Sequence, residues 1–194
     1  VVAEDFDNDG DMDLVIGNLG NNYKYQTSGD ETFDIFYNDF DQNNTGDIVL
    51  SYYNDGEQYP LRGRQCSSEQ IPAIKMKFQD YDAFSIATLE DVYTEPALEN
   101  SLHYFSKTFS SVYLENTGNS FNMSKLPPLT HLSSINKILK KDIDKDGYID
   151  IVVSGNMYNS EVETPRNDAS VGVYLKFTPD FGFEAVPTQK SGLF

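Results

Sequence analysis

Asp142-Ile143-Asp144-Lys145-Asp146-Gly147-Tyr148-Ile149-Asp150 reads D-x-D-x-D-G-x-x-D, and Asp5-Phe6-Asp7-Asn8-Asp9-Gly10-Asp11-Met12-Asp13 repeats it. A third window, Asp39-Phe40-Asp41-Gln42-Asn43-Asn44-Thr45-Gly46-Asp47, keeps the spacing with Asn43 for the third acid and Asn44 for the glycine. Asn adopts left-handed backbone more readily than other non-glycine residues, so the same turn is expected there. The three windows hold 12 of the chain's 20 Asp. A solvated surface would scatter its acids and favour Glu, of which there are 11, so the clustering asks for a local cause.

The spacing suits a hard cation. Calcium takes about six to eight oxygens at about 2.3–2.6 Å, and side chains at positions 1, 3 and 5 of a tight loop converge on one point. Position 6 provides the sharp turn, position 7 a backbone carbonyl, and position 9 a further carboxylate. The candidate metal residues are Asp5, Asp7, Asp9, Asp11 and Asp13; Asp39, Asp41, Asn43, Thr45 and Asp47; and Asp142, Asp144, Asp146, Tyr148 and Asp150. Up to three structural Ca²⁺ are expected, the second loop having the fewest carboxylates. Magnesium fits less well because it keeps its waters and demands stricter geometry. Four carboxylates this close repel one another without a cation.

Loop position 12 separates this pattern from an EF-hand, which needs a bidentate Glu there. Here it is Ile16, Leu50 or Val153. The flanks also read as strands. Leu14-Val15-Ile16, Ile48-Val49-Leu50 and Ile151-Val152-Val153 follow the loops, while Phe33–Tyr37 and Ile135–Leu139 precede two of them. Each loop is therefore expected to join two strands. Gly17-Asn18 and Gly155-Asn156 follow two of the units, Asn54-Asp55-Gly56 and Asn116-Thr117-Gly118 signal hairpins, and further strands are expected over Ser111–Glu115, Ser120–Met123, Val171–Phe177 and Phe183–Val186. Repeated short antiparallel strands of this kind suggest propeller blades.

Asp5–Asn18 and Asp142–Asn156 resemble the FG-GAP/VCBS repeats of integrin-α-like β-propellers. Gly17-Asn18-Leu19-Gly20-Asn21-Asn22, Asn38-Asp39-Phe40-Asp41, Tyr59-Pro60, Arg62-Gly63-Arg64 and Ser160-Glu161-Val162-Glu163-Thr164 resemble VCBS-repeat proteins of Bacteroidetes, similar to the cartilage-acidic-protein-like group. The resemblance implies a calcium loop between the first two strands of each blade. It leads to an all-β fold, a partial propeller of about three to four blades with a helical insertion.

The loop starts, Asp5, Asp39 and Asp142, are unevenly spaced. The expected organisation is propeller repeats over residues 1–65, a helical insertion over 66–106 and propeller repeats over 107–194. Ser67–Phe78 and Tyr81–Tyr93 read as helical, the latter because Ala83, Ile86, Leu89 and Val92 recur every three residues. Closure of a propeller removes its sheet edges, so the rest of a longer chain or other subunits is expected to complete this one.

Composition narrows the partners. Lys and Arg number 14 against 31 Asp and Glu across 194 residues, a formal charge of −17. That charge opposes nucleic-acid backbones and anionic membranes. No run of about 18 apolar residues occurs, so no transmembrane segment is expected. Cys66 stands alone and cannot form an internal disulfide; it is a reactive thiol or a plain small side chain. His103 and His131 sit in no recognisable catalytic motif. Arg62-Gly63-Arg64 is a candidate grip for a carboxylate or sugar acid, or a charged turn. Ser160–Asp168 is a polar loop that faces a ligand or closes on itself through salt bridges. The expected function is non-catalytic binding of a protein or glycan ligand by a calcium-binding module, outside the cell, on its surface or in the periplasm. The alternatives are a polysaccharide lyase or hydrolase on the same scaffold and an architectural subunit of an outer-membrane assembly.

Overall fold

A computed structural model describes residues 1–160 and 164–193. Strands β1 (Val2–Glu4), β2 (Asp13–Ile16), β3 (Phe33–Asn38), β4 (Asp47–Asn54) and β5 (Glu57–Pro60) come first. Five short helices follow: α1 (Arg64–Gln70), α2 (Ala73–Lys77), α3 (Tyr81–Ser85), α4 (Leu89–Tyr93) and α5 (Glu95–Glu99). Then come β6 (Leu102–Ser106), β7 (Val112–Asn116), β8 (Phe121–Lys125), β9 (Lys137–Lys141), β10 (Asp150–Ser154), β11 (Val173–Thr178), β12 (Gly182–Ala185) and α6 (Thr188–Ser191). The strands form three four-stranded antiparallel sheets, ordered β1-β2-β7-β8, β5-β4-β3-β6 and β12-β11-β10-β9. The fold is mostly β with few helices.

The chain divides into two compact units, residues 1–24 with 109–194, and residues 25–108. These differ from the expected segments 1–65, 66–106 and 107–194. The reason is strand pairing that ignores chain order: Ile16 is registered with Val112 and Leu14 with Leu114. The first sheet is thus opened after its second strand, and the second unit is inserted there.

In the first unit two sheets share one core. Phe6, Val15, Tyr113, Leu126, Ile151, Val153, Leu175, Phe177 and Phe183 are buried together. The alternation of β2, β10 and β11 sends every second residue into it, as strand geometry requires. Phe6 is fully buried, stacked on Phe177 at 6.3 Å and edge-on to Phe183 at 5.1 Å. The Gly-Asn pairs have a concrete task. Asn156 receives the Ser170 amide at 3.1 Å and gives its own amide to the Ser170 carbonyl at 3.1 Å, holding the approach to β11. Asn18 similarly reaches the Ser110 carbonyl and receives the Leu19 amide. Gly155 lies so near the Ser134 carbonyl and Asn136 amide that a Cβ would collide with backbone.

In the second unit the helices cover one face of the sheet. Phe36 and Val49 pack under Ile71, Ile74, Phe84, Ala87, Leu89, Val92, Tyr93 and Leu98. The expected helical stretches are broken. Pro72 stands between α1 and α2, having no N–H to continue the ladder. Tyr81–Tyr93 splits because Thr88 starts a fresh helix, its hydroxyl accepting the Asp91 amide while the Asp91 carboxylate accepts the Thr88 amide. The residues of the three-residue periodicity do not share one buried face: Ala83 and Ile86 are exposed, whereas Phe84 and Ala87 are buried with Leu89 and Val92.

Candidate metal centre

Each Asp-rich loop joins two paired antiparallel strands, β1 to β2, β3 to β4 and β9 to β10. Its shape comes from side chains of position 1, 3 and 5 folding back onto backbone N–H groups. The position-1 carboxylate accepts from the amide of position 6 in every loop: Asp5 from Gly10 at 3.1 Å, Asp39 from Asn44 at 2.8 Å, and Asp142 from Gly147 at 3.2 Å. Asp7, Asp41 and Asp144 each accept the position-5 amide, and Asp9, Asn43 and Asp146 each accept that of position 7. Positions 4 and 6 are left-handed throughout, with φ of 64° and 98° at Asn8 and Gly10, 59° and 67° at Gln42 and Asn44, and 65° and 95° at Lys145 and Gly147. Asn44 therefore replaces the glycine conformationally.

The frame brings carboxylate oxygens of Asp5, Asp7 and Asp9 within 4.8 Å of one another, and likewise those of Asp39, Asp41 and Asp47 and those of Asp142, Asp144 and Asp146. Position 9 has a different setting in two loops. Asp13 is fully buried and its carboxylate holds three donors: the Phe6 amide at 3.2 Å, the Tyr113 hydroxyl at 2.8 Å and the Asn116 amide at 2.7 Å. Asp150 repeats this with the Ile143 amide, the Tyr174 hydroxyl and the Phe177 amide at 3.0, 2.9 and 3.1 Å. These two residues anchor the loop to the third strand of its sheet. Asp47 accepts the Phe40 amide at 3.0 Å. Asn43 spends its side-chain oxygen on the Thr45 amide at 2.7 Å.

Charge accumulates in the first loop. Burial raises the Asp7 and Asp11 carboxyls above the usual range, and the surrounding acids add to it, Glu115 among those acting on Asp11. Burial, and then the bond to Asp13 or Asp150, pushes the Tyr113 and Tyr174 hydroxyls up. In the third loop Asp146 moves the other way, because the Lys176 ammonium bonds to it. The donor set of each cluster consists of carboxylate oxygen, and Asp11 Oδ1 and Asp142 Oδ1 are buried without a hydrogen-bond partner. These residues fit a hard divalent cation.

Tyr113, Tyr174, Glu115 and Lys176 were not among the expected site residues. Their signal is a short repeat, Val112-Tyr113-Leu114-Glu115 against Val173-Tyr174-Leu175-Lys176, which sets the same anchor beside both loops.

The other candidates have structural partners. Arg64 is buried, donating to the Phe78 carbonyl at 2.6 Å and the Gln79 carbonyl at 3.1 Å, so its guanidinium ties helices together. His103 stacks on Phe36 at 4.2 Å and pairs with Asp34 at 2.5 Å. His131 is buried, its Nε2 on the Leu126 carbonyl at 2.9 Å and its Nδ1 accepting the Ser111 amide at 3.3 Å. Cys66 is half-buried. Arg166 pairs with Asp168 at 3.9 Å, while Glu161, Val162 and Glu163 lie outside the described residues. An open groove of about 880 Å³ lies beside His131, bordered by Asn21, Lys125, Pro128, Leu132 and Glu184.

Comparison with known protein families, with curated proteins and with solved structures returns no match. Among the described residues no helix is long and apolar enough to cross a membrane.

Proposed function

We propose that this chain is a calcium-stabilised, non-catalytic binding module of the FG-GAP/VCBS β-propeller type, belonging to an exported or cell-surface protein and recognising a protein or glycan partner. One observation carries the reading: the same acidic frame occurs three times, each time between paired strands, with carboxylate oxygens gathered within 4.8 Å. In this reading each four-stranded sheet is a blade or its derivative, and the missing blades come from further chain or other subunits. Asp5, Asp7 and Asp9 would hold one ion, Asp39, Asp41 and Asp47 a second, and Asp142, Asp144 and Asp146 a third. Bound calcium would supply positive charge that offsets the like charge of each loop. The chain's own work is to fix the loop: Asp13 and Asp150 lock it onto β7 and β11, and the left-handed position 6 makes the sharp turn. Affinities of about 10⁻⁴–10⁻³ M, those of extracellular modules, suit this role.

Calorimetric melting in excess EGTA and in about 10 mM calcium tests it. Saturating the sites stabilises by about 1–3 kcal/mol each, about 3–9 kcal/mol for three, so the midpoint is expected to rise by about 10–25 °C. Superimposable melts, with no heat on titrating calcium into the chelated protein, would remove the basis for the proposal.

A further inference from the structure

The strand register makes the first and third loops directly comparable. Tyr113 in β7 and Tyr174 in β11 bind the buried position-9 acids, Asp13 and Asp150. Two residues further on, a strand returns its side chain to the same face. That position is Glu115 in the first sheet and Lys176 in the third. The Lys176 ammonium lies on Asp144 Oδ2 and on Asp146 Oδ2, 2.9 Å from the latter. Glu115 instead adds a negative charge that acts on Asp11. A cation is therefore already seated on two of the three gathered carboxylates of the third loop, while the first loop has a carboxylate at the matching place. Asp142, the third of the group, keeps Oδ1 buried and without a partner beside the occupied pair.

We propose that Lys176 is a tethered cation of the third loop: it holds Asp144 and Asp146 together in the ion-free chain and competes with a divalent cation for them, so that the first and third loops load unequally. The second half of this statement rests on the calcium reading above; the first half does not. An ammonium attached to the protein is present at constant local concentration, so it stabilises the loop at any calcium level and must be displaced when the ion binds. Among the described residues Glu115, not an ammonium, takes the matching place beside the first loop, which therefore gains more from the ion. Glu115 and Lys176 thus set the order of filling without belonging to either acidic frame.

Gly10 and Gly147 are matched reporters, since each donates its amide to the position-1 carboxylate of its loop. The test is amide NMR on the ¹⁵N-labelled chain, wild type against Lys176→Met. In EGTA the heteronuclear NOE of Gly147 is expected to fall well below that of Gly10 in the variant, with Gly10 unchanged. On titration with calcium, Gly10 of the wild type is expected to respond at lower concentration than Gly147. Lys176→Met is expected to move the Gly147 midpoint down about tenfold and leave Gly10 in place, while Glu115→Lys moves the Gly10 midpoint up. Should Lys176→Met fail to fold, Lys176→Gln and Glu115→Lys carry the same comparison. A Gly147 signal indifferent to Lys176 both in EGTA and on titration overturns the proposal. If calcium shifts neither glycine in any protein, the calcium reading and the competition fall, and the EGTA measurement still decides whether Lys176 holds the loop.

Discussion

The first and third acidic loops share their backbone and differ in what surrounds it. In both, position-1 acids cap position-6 amides, positions 4 and 6 are left-handed, and a buried Asp joins the loop to a tyrosine of the third strand. Yet position 2 is Phe6, at the centre of an aromatic cluster, in one loop and the exposed Ile143 in the other. The neighbouring strand offers Glu115 to one and Lys176 to the other. Local Asp-to-amide bonds therefore suffice to shape the turn, while its packing and its charge are set by residues far away in sequence. The second loop extends the lesson: its Asp47 has the Phe40 amide but no tyrosine anchor from β5, because β5 pairs with Ser51–Asn54, beyond reach of Asp47.

Removing the anchors should separate the loops most strongly. Asp13→Ala leaves three donors in a dry core without an acceptor, and is expected to cost about 3–5 kcal/mol by urea denaturation. Asp150→Ala should cost a similar amount and Asp47→Ala less than half, so equal losses at all three would show that the anchors contribute nothing specific. Next in size is Gly155→Ala, expected to lose about 2–3 kcal/mol because the added methyl meets backbone. Gly17→Ala should lose less, since its nearest contacts, Ile135 Cγ2 at 2.7 Å and the Ile135 carbonyl at 3.0 Å, are looser than the 2.3 Å approach at Gly155. The smallest effect concerns His131. Its two ring bonds require a neutral imidazole, and burial lowers its affinity for a proton. The unfolded chain then takes up the proton first, so stability should decline as pH falls from about 6.5 through the lower folded value. Urea midpoints at pH 7 and pH 5, compared with those of His131→Gln, measure this; a variant with the same pH dependence would assign the decline to other groups.

Much of the site was legible because its geometry is local. D-x-D-x-D-G specifies its own turn through side-chain bonds spanning two to five residues, so the turn of each loop and the role of Asn44 could be read from nine residues, and the strands after the loops from the short apolar runs beside them. The Gly-Asn pairs were visible as a repeat, though not as clamps on the next strand. The helical region was less readable. Thr88 and Pro72 stop helices that apolar spacing alone would continue, and tertiary burial selected Phe84 and Ala87 over Ala83 and Ile86. The pairing of β2 with β7 was hidden because a sequence carries no record of which strands meet once a whole unit lies between them. Its trace, Val-Tyr-Leu in β7 and again in β11, is only three residues long.

That pairing bears on how the chain is made. The sheet of β9 to β12 is assembled from strands that leave the ribosome one after another. The sheet of β1 and β2 must wait, as a two-stranded ribbon, until residues 25–108 have emerged and Val112 arrives to meet Ile16. Prior collapse of the intervening unit shortens the path that must be closed, and closure entropy grows only slowly with length. Meanwhile an unsatisfied β2 edge is a template for a neighbouring nascent copy. The five aspartates from Asp5 to Asp13 sit at the end of that ribbon, and their like charge opposes close edge-to-edge pairing with a second copy until a partner strand exists.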